Sequence, residues 1–175
     1  ALLIEDTLTS ATLVSHQLRK IGIEPIVARN GETGIELYKQ EHPDLILLDI
    51  IMPGMDGFEV ARRIRQLEQF GEWTPIIFLT ARTSDADLEK AISVGGDDYL
   101  IKPVSETVLA AKVRAMQRIA HNVEMETLRS GLMKDQMAMS GELGGNAARA
   151  DAAEAGADPA AADDDMSWVQ GVYDA

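Results

Sequence analysis

Residues 45–57 read Leu45-Ile46-Leu47-Leu48-Asp49-Ile50-Ile51-Met52-Pro53-Gly54-Met55-Asp56-Gly57, and the fold is decided at the start of this stretch. Four consecutive apolar residues end on a carboxylate, and polar and apolar positions do not alternate. A strand with one wet face alternates; an unbroken apolar run of this length is the habit of a strand covered on both faces, as in a parallel sheet. Similar runs occur at Ala1 to Ile4 and Ile76 to Leu79, and less apolar ones at Ile26 to Ala28 and Tyr99 to Ile101 suit edge strands.

Helical patterns lie between the runs. Leu8, Ala11, Val14, Leu18 and Ile21 are spaced as one helical face. Further helices are expected over about 32–40 and about 58–69, the latter with Phe58, Ala61, Ile64 and Leu67 inward. Another should start at Ser84, which has capping-box spacing to Asp87, and stop at Gly95-Gly96. The last begins near Ser105 and has no obvious stop before Gly131. Strand and helix alternating in this way predict an α/β, doubly wound parallel sheet. Right-handed crossovers place every strand's C-terminal end along one edge, where such sheets bind ligands.

What falls at that edge is a set of charges. Glu5-Asp6 follow the first strand, Asp49 ends the third, Thr80 the fourth, and Lys102-Pro103 the fifth. Any one of these is ordinarily a helix cap or a solvated turn. Three carboxylates brought together repel, so one must protonate or a cation must bind. Hard oxygen ligands with room for water suit Mg2+, which favours phosphate as a co-ligand.

The chain resembles the receiver domain of two-component response regulators over about residues 1–120. Glu5-Asp6, Asp49 through Gly57, Thr80-Ala81 and Lys102-Pro103 carry the resemblance, in order and at close to the family's spacings. It implies a flavodoxin-like (βα)5 sheet of strand order 2-1-3-4-5, here with an extended C-terminal helix. By the resemblance Asp49 is the phosphoacceptor, taking a phosphoryl group from a sensor histidine kinase or phosphotransfer protein, with Lys102 and Thr80 assisting. The metal ligands it implies for Mg2+ are Asp6, Asp49, Glu5 through water, and the backbone carbonyl of Ile51. Thr80 and Tyr99 become the switch pair, Gly57 permits the tight course after the acceptor loop, and the Lys102–Pro103 bond is expected cis. The implied role is a phosphorylation-dependent switch whose readout is the face of the fourth helix, fifth strand and fifth helix. It is not an enzyme acting on external substrates. Apolar Ile51 cannot orient an attacking water, so slow self-dephosphorylation is expected, with Arg82 shielding the phosphate.

Two other readings compete. An aspartate-nucleophile phosphatase of the haloacid-dehalogenase type needs a second Asp two residues after the first, where Ile51 stands. A pseudo-receiver acting only as an interaction module sits badly with an intact Asp6, Asp49, Thr80 and Lys102.

Composition bounds the rest. The chain has 175 residues, no cysteine and a net charge of -13. Disulfides and thiolate metal sites are therefore excluded, and a broad nucleic-acid surface is disfavoured because phosphate binding needs surplus Lys and Arg. No apolar run approaches the ~18–20 residues of a membrane span, and a cytoplasmic location is expected. The opening at Ala1, inside an apolar run, suggests that a few N-terminal residues are missing. Residues 131–175 hold 2 Lys/Arg against 9 Asp/Glu, with twelve alanines and six glycines. The reading divides the chain into a receiver domain over 1–120, a helical extension over 121–140 and an acidic, disordered tail over 141–175. That tail is too short and acidic for a DNA-binding output domain, so no direct nucleic-acid binding by this chain is expected. Leu109, Val113, Met116, Ala120 and Val123 step as in a coiled coil, which makes the last helix a candidate homodimer contact beside the switch face. In the tail, Met166 to Tyr173 is the one apolar cluster, readable as a docking peptide or as the stub of a further domain.

Overall fold

The computed structural model describes residues 1–69, 71–81 and 85–154, with side chains described through residue 133 apart from those of Asp85 and Leu88. Strands and helices alternate: β1 (Leu2–Ile4), α1 (Leu8–Lys20), β2 (Ile26–Ala28), α2 (Gly31–Glu41), β3 (Ile46–Asp49), α3 (Gly57–Leu67), β4 (Ile76–Thr80), α4 (Asp85–Ser93), β5 (Asp98–Ile101) and α5 (Glu106–Glu154). All strand pairs are parallel, in the order β2-β1-β3-β4-β5. The expected doubly wound, flavodoxin-like sheet is what the chain forms.

The non-alternating runs fill two cores. Leu2, Ile4, Ile46, Leu48, Ile76 and Phe78 pack with Ile35 of α2, Ala61 and Ile64 of α3 and Ala91 of α4. Leu3, Leu47, Ile77, Leu79 and Leu100 meet Ala11, Val14 and Leu18 of α1 and Leu109, Val113 and Met116 of α5 on the opposite face. Successive residues of a strand point to opposite faces, so a strand buried on both sides must be apolar throughout. Two helix starts are capped by side chains: at α2 Asn30 accepts from the Thr33 N–H and at α3 Asp56 from the Glu59 N–H, each at 2.8 Å. At the sheet's N-terminal edge Arg65 of α3 donates to the carbonyls of Gly95 and Thr74 and pairs with Glu68 and Asp97. Asp97 in turn accepts from the Ile76 N–H and the Trp73 indole. This half-buried network ties α3 to the entry of β4 and to the loop between α4 and β5.

Several expectations need correction. Leu8, the first residue of α1, is 68% exposed although Ala11 one turn on is buried, and Leu67 at the last turn of α3 is exposed while Val60 is buried. The stripe read as a coiled-coil seam is largely the sheet-facing side of α5: Leu109, Val113 and Met116 are buried in the second core. Further along, the exposed large apolar residues among those described are Ile119, Met125, Leu128, Leu132 and Met133. Ala1–Ser130 form one compact unit. α5 runs to Glu154, so residues 141–154, expected in the acidic tail, are helical; the alanines that made them look unstructured are the strongest helix formers. Ser84 and the cluster Met166 to Tyr173 lie outside the described residues.

Candidate functional site

The strand order reverses between β1 and β3, since β1 pairs with β2 on one side and β3 on the other. Outside that point the carboxylates converge: oxygens of Glu5, Asp6 and Asp49 all lie within 4.8 Å of one another. Glu5 is fully buried, Asp49 nearly so, and Asp6 is half-buried. From β5 comes Lys102, whose Nζ sits 2.6 Å from Glu5 Oε2 and 3.0 Å from Asp49 Oδ1. Its backbone N–H donates to the Thr80 carbonyl at 2.8 Å, which seats the lysine beside the end of β4. The Lys102–Pro103 bond is cis, as expected.

Each charge has a structural cause. Burial alone would raise Glu5, but hydrogen bonds from Lys102, the Ser10 hydroxyl at 2.7 Å and the Thr7 N–H at 3.1 Å outweigh it and hold its carboxyl below the ordinary value. Asp49 has fewer donors, the Lys102 ammonium and the Ile51 N–H at 3.4 Å. Burial therefore prevails, helped by the charge of Glu5, and raises Asp49 above the ordinary value despite Lys102. Lys102 is raised: burial would lower it, but the two carboxylates it touches more than compensate. A buried carboxylate that its surroundings under-compensate is a group primed for a further positive charge. The all-oxygen donor set of Glu5, Asp6 and Asp49 fits a hard divalent cation.

The loop after Asp49 is shaped by Gly57, where a Cβ would lie 2.2 Å from the Asp49 carbonyl oxygen. Thr80 is fully buried. Phe78 pairs with Tyr99 and Thr80 with Ile101, so Thr80 and Tyr99 occupy one face of neighbouring strands, two positions apart. Tyr99 is half-buried at the margin of the first core, with Lys112 Nζ 5.4 Å from its ring centroid and paired to Asp98. Ile51 is half-exposed at the mouth; Arg82 lies outside the described residues. Sequence reasoning missed Ser10, one turn into α1 beneath Glu5, and Arg29, whose guanidinium donates to the Asp6 carbonyl. A hydroxyl five positions past an acidic strand end was the available signal for the first; the second had none.

Over residues 1–114 the sequence matches the response regulator receiver domain family. The chain belongs to that family. Transcriptional regulatory protein AfsQ1 of Streptomyces coelicolor is 41% identical over 140 residues, which are 79% of this chain and 60% of that protein. Probable transcriptional regulator ycf27 of Cyanophora paradoxa is 33% identical over 126 residues, 72% of this chain and 51% of that one. The chain thus spans only part of the length of these relatives. Among solved structures, the chemotaxis protein CheY4 of Vibrio cholerae superposes with a TM-score of 0.62 at 30% identity, covering 66% of this chain and 95% of that one. As a receiver domain the protein is a regulatory component of two-component signalling rather than a metabolic enzyme. No helix among the described residues is long and apolar enough to cross a membrane.

Proposed function

We propose that the protein is a phosphorylation-dependent switch that accepts a phosphoryl group on Asp49. The observation that carries this reading is the juxtaposition of a buried, under-compensated Asp49 with Lys102 at 3.0 Å and with the carboxylates of Glu5 and Asp6. A phosphohistidine on a sensor kinase or phosphotransfer protein is the donor. An Asp49 carboxylate oxygen attacks phosphorus, the P–N bond breaks, and the imidazole leaves with its electron pair. Phosphoryl transfer is mostly positioning and charge neutralisation. When bound by Glu5, Asp6, Asp49 and the Ile51 carbonyl, Mg2+ supplies positive charge to the phosphoryl oxygens. The Lys102 ammonium supplies more, and the Thr80 hydroxyl contacts the third oxygen. Movement of Thr80 toward the phosphate frees space for Tyr99, and the ring's reorientation reshapes the surface of α4, β5 and α5. Only states that contact the phosphoryl group differently can be shifted by it.

Incubation with acetyl phosphate and Mg2+ should add one phosphoryl group, mapped to Asp49 by mass spectrometry, and chelation with EDTA should abolish it. Absence of labelling with Mg2+ present would overturn the reading. The lifetime of the product should be long, because half-exposed Ile51 offers water no hydrogen bond. Ile51→Asn should hasten acyl-phosphate decay several-fold, and an unchanged decay rate would remove Ile51 as the cause.

The protein works in the cytoplasm. Its relatives' names support an output at promoter DNA carried by further domains of a longer protein. Self-association through the switch face or the last helix is supported by exposed Ile101, Val108, Met125 and Leu128. Gel filtration with and without beryllofluoride reports whether phosphorylation drives it.

A further inference from the structure

Gln17 lies in the last turn of α1 and is buried to 6% exposure, beside Val14 and Leu18 of the second core. Its side-chain Nε2 donates to the Val104 carbonyl at 2.9 Å, bridging α1 to the loop between β5 and α5. Its Oε1 is buried and has no hydrogen-bond partner among the described residues. A buried amide with one end unpaired is a net penalty, and an apolar side chain of the same length would fill the space without it. Packing therefore does not explain glutamine here. The hydrogen bond does something packing cannot: it fixes a backbone carbonyl two residues after Lys102.

The contacts around this bond form a closed loop. Lys102 reaches Glu5 and Asp49 at one end. Glu5 is held by the Thr7 N–H just before α1 and by Ser10 in its first turn. Farther along the helix, Gln17 grips Val104, and Lys20 in the last turn pairs with Glu106 at the start of α5 at 2.8 Å. α1 is thus a strut with the Glu5 carboxylate fastened to one end and, at the other, the loop after Lys102 through Gln17 and the start of α5 through Lys20. The Lys20–Glu106 pair is exposed and contributes little; the buried amide is the firm attachment.

We propose that Gln17 is a positioning residue for Lys102, setting how far the ammonium reaches over Asp49. The inference rests on the phosphoacceptor reading for what Lys102 does, but not for where it is held. Misplacement of a charge by a fraction of an ångström to an ångström is enough to slow a positioned reaction substantially.

The test is Gln17→Met, which keeps the length of the side chain and removes both the donor and the unpaired oxygen. Phosphorylation by acetyl phosphate at saturating Mg2+ should slow by roughly tenfold, with a melting temperature lowered by a few degrees at most, because the Val104 carbonyl loses its donor while the unpaired amide oxygen is also removed. In a Lys102→Ala background the same substitution should have no further effect, the signature of action through that residue. Modification of Lys102 by an amine-specific acylating reagent, followed by mass spectrometry, reads its position without any phosphorylation and should be several-fold faster in Gln17→Met. An equal slowing in the Lys102→Ala background would overturn the proposal. So would unchanged Lys102 reactivity, or a larger fall in melting temperature with faster modification of lysines throughout the domain. If wild type fails to label at Asp49, the phosphoacceptor reading falls, and Lys102 reactivity alone then decides whether Gln17 positions it.

Discussion

Gly57→Ala should destabilise the domain by about 3 kcal/mol or more, at the upper end of what overpacking a well-filled site does. The reason is proximity rather than backbone conformation. An added Cβ would stand 2.2 Å from the Asp49 carbonyl oxygen and 2.9 Å from the Ile50 Cα. These are backbone atoms and cannot swing aside as a flexible side chain can. The Gly57 N–H is also bonded to the Ile50 carbonyl at 2.9 Å, so the loop cannot open without losing that bond. Gly54, three residues earlier, presents the opposite case: its φ is +81° and nothing lies within 4 Å of its Cβ position, so its constraint is purely conformational. Relief of the clash at Gly57 must come from moving the end of β3 or the start of α3. The first carries Asp49 and the second is capped by Asp56. The folded fraction of the variant should therefore also be labelled more slowly at Asp49. Urea unfolding followed by circular dichroism checks the stability: a fall in midpoint at unchanged slope is expected, and a midpoint equal to wild type would show that the loop has slack the distances deny.

How far the fold could be read from the residues depended on which signal each element carried. β1, β3 and β4 were legible because burial on both faces leaves an unbroken apolar run, and their polar terminators Glu5, Asp49 and Thr80 marked the functional edge directly. Helix faces were read less well. Periodicity placed Leu8 on the same stripe as Ala11, yet only Ala11 is buried and Leu8, the helix's first residue, is exposed. The same periodicity in α5 was ambiguous between a seam for a second helix and a face for the sheet, and contact with Leu79 and Leu100 settles it for Leu109, Val113 and Met116. Partners distant along the chain left no trace at all. Arg65 looks like a surface residue of α3 until Asp97 and the Gly95 carbonyl are brought to it. Gln17 is the sharper example, since a polar residue within an apolar stripe reads as a solvent position, and only the fold reveals that it is buried.

Asp49→Asn should abolish labelling by acetyl phosphate while making the metal-free protein more stable by about 1 kcal/mol, against the usual direction of a buried substitution. Both effects come from one feature. Burial, with the charge of Glu5 beside it, raises the folded-state pKa of Asp49 above the ordinary 3.8, and Lys102 only partly offsets this. The folded protein therefore binds a proton more tightly there than the unfolded chain. Stability falls as pH rises through the window between 3.8 and the raised value, and the penalty is fully present above it. Asparagine does not titrate, so the advantage of the variant should vanish below pH 3.8, grow through the window and level off toward neutrality. The Glu5 carboxyl, lowered from 4.5, works in the opposite sense: its stabilisation is present above 4.5 and lost as pH falls. Both proteins retain Glu5 and Lys102, so the difference between them reports Asp49 together with its coupling to those two groups. Mg2+ should raise the melting temperature of wild type, since a ligand that binds only the folded state stabilises it, and should do so much less in the variant, which has lost a carboxylate from the cluster. Thermal unfolding across pH with and without Mg2+, alongside mass spectrometry, separates the outcomes. Persistent labelling of Asp49→Asn would move the acceptor to another carboxylate. A variant less stable than wild type at neutral pH would mean that the Lys102 pair outweighs the burial of Asp49, so that the site is held in balance rather than under charge stress. Loss of labelling together with a gain in metal-free stability is what a site built for a cation and a phosphoryl group requires: the same buried carboxylate whose charge opposes folding draws in the cation and is the nucleophile for the phosphoryl group.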